Sequence, residues 1–203
     1  MSEEKIPKTK KGQKTREKLL YSAKKVFGKK GYYQTSISDI TKEAEVGHGT
    51  FYIYFESKRA ILEALIQYLN KDLRQNISDE LLNSKDRIEA EEIGLRVYFD
   101  YVRKNPELYK IVFESQFVDY NLFINYYKMF VDSYKKALEE AINKHEIKDL
   151  DPEVIAYCII GISNFIGFRW LMWQDEENRG IPEEIFEDVM KFIKYGISPE
   201  NTF

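Results

Sequence analysis

One cysteine, five prolines and ten glycines in 203 residues leave little room for several classes of protein. With Cys158 alone, no internal disulfide can form, which sets aside the disulfide-stapled scaffolds and fits a reducing cytoplasm. The N-terminus carries charges but no apolar stretch behind them, so no signal peptide is read there. Low glycine and proline content, together with apolar residues at helical spacing, gives no strand signal. No internal repeat and no low-complexity block is visible.

Chemistry-bearing residues are also scarce. His145 and Cys158 are the strongest candidates for a nucleophile, base or soft metal ligand outside the N-terminal quarter, and neither has a partner at a recognisable spacing. Acid pairs such as Glu91-Glu92 and Glu139-Glu140 are helix neighbours that point in different directions and read as solvated faces. The expectation is no catalytic residue, no metal and no cofactor, and a small helical enzyme is the weaker alternative. One long apolar run, residues 154–173, could cross a bilayer on length alone. Asn164 and Arg169 interrupt it, and a central arginine costs roughly 2.5 to 3.5 kcal/mol on insertion scales, though one near an end can snorkel. A helix apolar all round also results when one face fills its own core and another meets a second subunit. No membrane partner is expected.

What the chain does have is charge asymmetry. Residues 1–60 hold 14 Lys+Arg against 7 Asp+Glu, whereas the remainder holds 17 against 27, so a basic head sits on an acidic body. Such a head faces a polyanion, with binding that weakens steeply as salt rises. Residues 1–12 read as a flexible basic arm, and Lys5, Lys8, Lys10, Lys11, Lys14 and Arg16 form a tail of little apolar content that either touches the polyanion or is merely solvated.

Residues 13–30 repeat apolar positions at Leu19, Leu20, Ala23, Val26 and Phe27, and Lys29-Lys30-Gly31 stops that helix. Thr35-Ser36 precedes a second helix on Ile37, Ile40 and Ala44, with Asp39 completing a short-armed capping box. Glu45-Val46-Gly47 supplies a turn with glycine, and a very short helix follows before Ser57 caps the next. Phe51 and Phe55 stand four apart and share the buried face, leaving His48, Gly49, Thr50, Tyr52 and Ile53 on the other sides. This is the layout of a helix-turn-helix reading head, and hydroxyl and ammonium donors facing outward suit phosphodiester. Among them, His48 and Thr50 are the better base readers, while Tyr52, Tyr54 and Lys58 suit phosphate.

Beyond the head, the pattern is all-α. A fourth helix carries Ile61, Leu62, Leu65, Ile66 and Leu69 and fades near residues 76–78; Ser84 caps a helix to about Arg103. Asn105-Pro106-Glu107, Asp119, Asp151-Pro152-Glu153 and Pro182-Glu183-Glu184 open the rest, the last closing at Gly196. Between Tyr98 and Tyr134 stand 12 aromatics, seven of them tyrosines, whose hydroxyls need polar partners when buried. A ring-lined cavity with a few donors is the usual recipe for an apolar small-molecule site. Tyr98, Tyr101, Phe113, Phe117, Tyr127 and Phe130 are its candidate lining, with Asn164 and Arg169 as polar contacts.

The run Gly31-Tyr32, Thr35, Ile37, Ile40, Ala44, Gly49-Thr50-Phe51-Tyr52, Tyr54-Phe55 and Ser57-Lys58 resembles the DNA-binding domain of TetR-family transcriptional regulators. The resemblance covers about a quarter of the chain. It implies a three-helix head over residues 13–58 and a ligand-binding, dimerising helical domain over residues 59–203 that pairs through its last two helices. It implies DNA contacts from Thr35, Ser36, Ser38, His48, Gly49, Thr50, Tyr52, Tyr54 and Lys58. One departure is Gly47, where the family usually has a small hydroxyl residue. The function so implied is a cytoplasmic homodimeric regulator, most often a repressor, released from a palindromic operator on double-stranded DNA by a small apolar or aromatic effector. A nucleoid-type DNA-binding protein without a ligand is the alternative.

Overall fold

The computed structural model describes residues 7–175 and 180–199, and among them the chain is helical with no strand. Lys5 of the expected basic arm lies outside the described residues. The helices are α1 (Lys10–Lys30), α2 (Ile37–Glu43), α3 (His48–Tyr54), α4 (Lys58–Glu80), α5 (Arg87–Lys104), α6 (Glu107–Val118), α7 (Tyr120–Asn143), α8 (Pro152–Gly167) and α9 (Glu183–Ile197).

Local chemistry sets the boundaries. Helix α1 starts three residues before the expected Gln13, because the Thr9 hydroxyl accepts from the Gly12 amide at 3.1 Å, so Lys10, Lys11 and Gly12 are helical rather than arm. It stops at Gly31, whose φ of 79° suits only glycine comfortably and whose N–H reaches the Phe27 carbonyl. The Ser36–Asp39 capping box of α2 forms as the spacing predicts, and the Ser57 hydroxyl accepts from the Ala60 amide to start α4. Two expectations shift. Helix α4 does not fade at residues 76–78 but runs to Glu80 and ends in a 3-10 turn, Leu81–Asn83. Asp86, not Ser84, caps α5, accepting from the Glu89 amide at 2.8 Å, while the Ser84 hydroxyl donates to the Leu81 carbonyl. Helix α8 opens on Asp151 and Pro152 as expected, then widens into a π-helical turn, Phe168–Met172.

The described residues up to 70, with 107–126, form one compact unit, and the described residues of 71–106 and from 127 onward form the other. This packing division differs from the functional division at residue 58, which is a proposal about roles. In the first unit, α1 lies against α2 and α6 around Leu19, Leu20, Phe27, Ile40, Phe51, Ile61, Leu62 and Ile111. Gly28 is where α6 comes closest, since a Cβ there would stand 2.5 Å from Glu107 Cβ. Polar ties flank that approach. Glu107 pairs with Lys24 at 3.0 Å, Lys110 donates to the Gly28 carbonyl at 3.0 Å, and Glu114 accepts from the Tyr32 amide at 2.6 Å.

The second unit is built around Leu73, Leu95, Val102, Leu138, Ala156, Ile159, Leu171, Phe186 and Ile193, with Phe99 meeting Phe186 edge to face. Among the described residues, its one strongly buried ion pair is Arg87–Glu91 at 2.7 Å, in which Glu91 also accepts the Tyr134 hydroxyl and Arg87 lies over the Tyr134 ring. Partners on every side make that burial tolerable. The stretch Pro152–Met172 is long and apolar enough to cross a membrane by length and composition. It buries Ile155, Ala156, Ile159, Ser163, Gly167 and Leu171 in this unit, while Val154, Tyr157 and Phe165 face outward.

Candidate nucleic-acid interface

The seven residues of α3 are too few to hold a helix by hydrogen bonds alone. Burial holds them instead. Phe51 is fully buried and Phe55 almost so, their rings 5.7 Å apart, and Arg16 lies over the Phe55 ring. That anchoring leaves His48, Gly49, Tyr52 and Ile53 exposed, with Thr50 and Tyr54 half-buried. Gly49 has open space where a side chain would be, so backbone is bare at that point. The His48 and Tyr52 rings meet edge to face at 5.3 Å, which orients the imidazole along the exposed face.

The turn before α3 departs from expectation. Gly47 has an ordinary φ of −66° and caps α3 with no side-chain hydrogen bond. The left-handed residue is Glu45, at φ 50°, with the Val46 amide reaching back to the Thr41 carbonyl in the six-to-one closure of a helix end. Its carboxylate accepts from the Lys18 ammonium at 2.8 Å and so ties the turn to α1. That pairing, 27 residues apart in sequence, leaves no local signature.

Three expected contact residues are placed differently from the rest. Thr35 is buried and its hydroxyl donates to the Gly31 carbonyl at 2.6 Å, so its side chain holds the α1–α2 turn rather than facing DNA. Ser36 is exposed, but its hydroxyl is engaged with Asp39, while Ser38 is exposed. Lys58 is turned inward, donating to the carbonyls of Tyr32 at 2.8 Å and Thr35 at 2.7 Å, with its ammonium 4.3 Å from the Tyr32 ring centroid. Burial depresses the pKa of this ammonium. Its two carbonyl bonds leave at most one N–H for a phosphate. Ile53 was absent from the expected contacts, yet is one of the most exposed apolar residues of α3.

The candidate effector residues divide between the units. In the second, the Tyr98 hydroxyl donates to Asn164 Oδ1 at 3.3 Å, and Asn164 Nδ2 donates to the Ile160 carbonyl. Tyr101 is buried and donates to Asp72 at 2.8 Å; Tyr127 and Phe130 are half-buried, and burial pushes the Tyr127 phenol up to about 12. Arg169 is exposed, its guanidinium 5.2 Å from the Trp170 ring centroid. In the first unit, Phe113 is half-buried against Phe123. Phe117, expected in the cavity lining, is 73 % exposed near the end of α6, its carbonyl accepting from the Tyr33 hydroxyl.

A short helix pinned by two buried rings and offering its bare backbone, imidazole and hydroxyls to solvent defines a helix-turn-helix DNA-binding transcriptional regulator. The head of this chain carries the TetR-family DNA-binding domain. Residues 19–65 match the family described as bacterial regulatory proteins, tetR family. Over 179 residues the chain is 27 % identical to an HTH-type transcriptional regulator of Bacillus subtilis, YvdT, covering 84 % of this chain and 90 % of that one. It is 39 % identical over 66 residues to the HTH-type transcriptional repressor DhaR of a Mycobacterium species, which spans 32 % of this chain and 33 % of that one. Among solved structures, a TetR-family regulator from Syntrophomonas wolfei superposes with a TM-score of 0.74 at 29 % identity, covering 90 % of this chain and 94 % of that one. These relatives are regulators, and the family is not one of enzymes.

Proposed function

We propose that the protein is a cytoplasmic homodimeric repressor that holds a palindromic operator through α3 and lets go when a small apolar or aromatic molecule enters its second unit. The observation that carries the reading is the outward face of α3. His48, Thr50 and the exposed Ile53 reach base edges, with Ile53 suited to thymine methyls, while Tyr52 and Tyr54 grip phosphates. Lys58 is assigned chiefly to clamping the turn behind them.

Dimerisation through α8 and α9 is supported by the apolar residues that both helices leave exposed. Val154, Tyr157 and Phe165 on α8, and Phe192 and Tyr195 on α9, are 45 % to 71 % exposed. Rings left in water at that density suit a partner surface, and a two-fold pair presents its reading helices to two half-sites. Effector binding is supported by the Tyr98–Asn164 pair and the half-buried rings of Tyr127 and Phe130. An effector releases DNA only by binding a shape of the dimer that fits the operator poorly more tightly than the shape that fits it well. Repression is supported by the similarity of the head to DhaR, named a repressor.

The deciding experiment compares affinity for duplex from the region flanking the gene with affinity for random duplex at one salt concentration. A regulator discriminates by roughly 10³ or more. Near-equal affinities would make the protein a nucleoid-type coat. Titration of small apolar compounds, followed by Trp170 and Trp173 fluorescence, then asks whether a compound that binds also lowers operator affinity.

A further inference from the structure

The side chains of Lys10, Lys11, Lys14 and Lys18, with Thr15, line a shallow groove whose far wall is Val46 of the turn before α3. Lys10, Lys14 and Lys18 stand four apart, so they form one stripe down α1, and Lys10, Lys11 and Lys14 are all exposed. The stripe begins beside the reading helix. At Gly12 a Cβ would stand 3.6 Å from the Tyr54 hydroxyl, which places the first turn of α1 against α3.

This arrangement works against the helix that carries it. Cations in a first turn oppose the macrodipole, and like charges four apart repel. Helices α5, α8 and α9 open instead with Glu89, Glu153 and the Glu183–Glu184 pair, whereas α1 has no acid in its first turn. Lys18 is balanced by Glu45, but among the described residues no carboxylate pairs with Lys10, Lys11 or Lys14. Among the described residues nothing offsets the charge of Lys10, Lys11 and Lys14.

We propose that this lysine stripe is a second phosphodiester-binding surface, gripping the backbone of duplex that flanks the half-site read by α3. The inference rests on the DNA-binding reading above and adds a contact that lengthens the site. From Lys10 to Lys18 the helix rises about 12 Å, which matches the axial rise of roughly three to four nucleotides along one strand. Ammonium groups make point-charge contacts with phosphates and carry no sequence preference, so the stripe adds affinity, register and salt dependence rather than specificity.

The test uses the full chain with Lys10, Lys11 and Lys14 replaced by Ala, leaving the Lys18–Glu45 tie intact. A control removes Lys128, Lys136 and Lys144, three exposed lysines elsewhere, to match the change in net charge. The stripe variant is expected to lower the slope of log affinity against log salt by about 2 to 3, since each lost phosphate contact contributes about 0.9. The control leaves the slope unchanged, and the ratio of operator to random affinity stays constant in both. Trimming the flanks of the operator duplex weakens the unaltered protein and leaves the stripe variant unaffected. Equal slopes and equal sensitivity to trimming in the unaltered protein and the stripe variant overturn the inference while leaving the regulator reading intact. An unaltered protein that fails to bind operator overturns both.

Discussion

The Lys58 ammonium stands 2.7 Å from the Thr35 carbonyl oxygen and 2.8 Å from that of Tyr32, so the first residue of α4 clamps the turn between α1 and α2. Lys58→Met keeps the stem and removes the charge-assisted bonds. Stability is expected to fall by about 1.5 to 3 kcal/mol, read as a lower urea midpoint with unchanged slope. A variant as stable as the parent but with weaker, less salt-dependent DNA binding would return Lys58 to phosphate duty.

Two glycines on opposite sides of the head should respond in opposite ways. At Gly28 a Cβ would stand 2.5 Å from Glu107 Cβ, so Gly28→Ala forces α1 and α6 apart and is expected to cost about 1 to 3 kcal/mol. At Gly49 nothing lies within 4 Å, and Gly49→Ala should stabilise α3 by up to about 1 kcal/mol through helix propensity. Operator affinity should nevertheless drop if, as proposed, the bare backbone approaches the duplex. Thermal melts and binding isotherms on the same samples separate the two effects.

Glu45 and His145 both take left-handed backbone conformations at helix ends, with φ of 50° and 58°. Each costs roughly 1 to 2 kcal/mol relative to glycine. His145→Gly is expected to raise the melting temperature outright. Glu45→Gly should gain slightly less, since it also gives up the exposed pair with Lys18, worth little in water. A loss of stability in both variants would show that the two ends relax differently.

Acid should weaken the head through its carboxylates. The Lys30 ammonium, then the Ser36 amide and hydroxyl, hold Asp39 well below the ordinary carboxylate range, and the hydrogen bond from Arg59 lowers the pKa of Asp119. A pKa depressed by folding contributes stability that is present above the unfolded value, near 3.9 for aspartate, and is lost as pH falls towards the folded one. Melting temperatures should therefore decline below about pH 4, less steeply in Asp39→Asn, which starts lower at neutral pH.

Features carried by neighbouring residues were legible in the sequence. The Ser36–Asp39 box, the Asp151-Pro152 start of α8 and the inward Phe51–Phe55 pair all follow from spacings of four residues or fewer. Features that depend on distant partners were not. Nothing near Lys58 announces the Tyr32 and Thr35 carbonyls, and nothing near Thr35 announces that its hydroxyl turns back to Gly31 beneath a covering of other residues. Glycine at position 47 drew the turn to itself, while the strained conformation went to Glu45, where the closing hydrogen bonds of α2 demanded it. Phe117 shows the converse: aromatic density marks a face worth burying, but not which ring stays outside.

Helix α3 is opened by Gly47 without a side-chain cap and held from beneath by Phe51 and Phe55. Its amide hydrogens should consequently exchange with water on very different schedules. Those of His48 and Gly49 trade almost freely, while that of Phe55, bonded to the Phe51 carbonyl, persists. The leading edge of the helix thus breathes on a still pivot, with room to adjust as it seats.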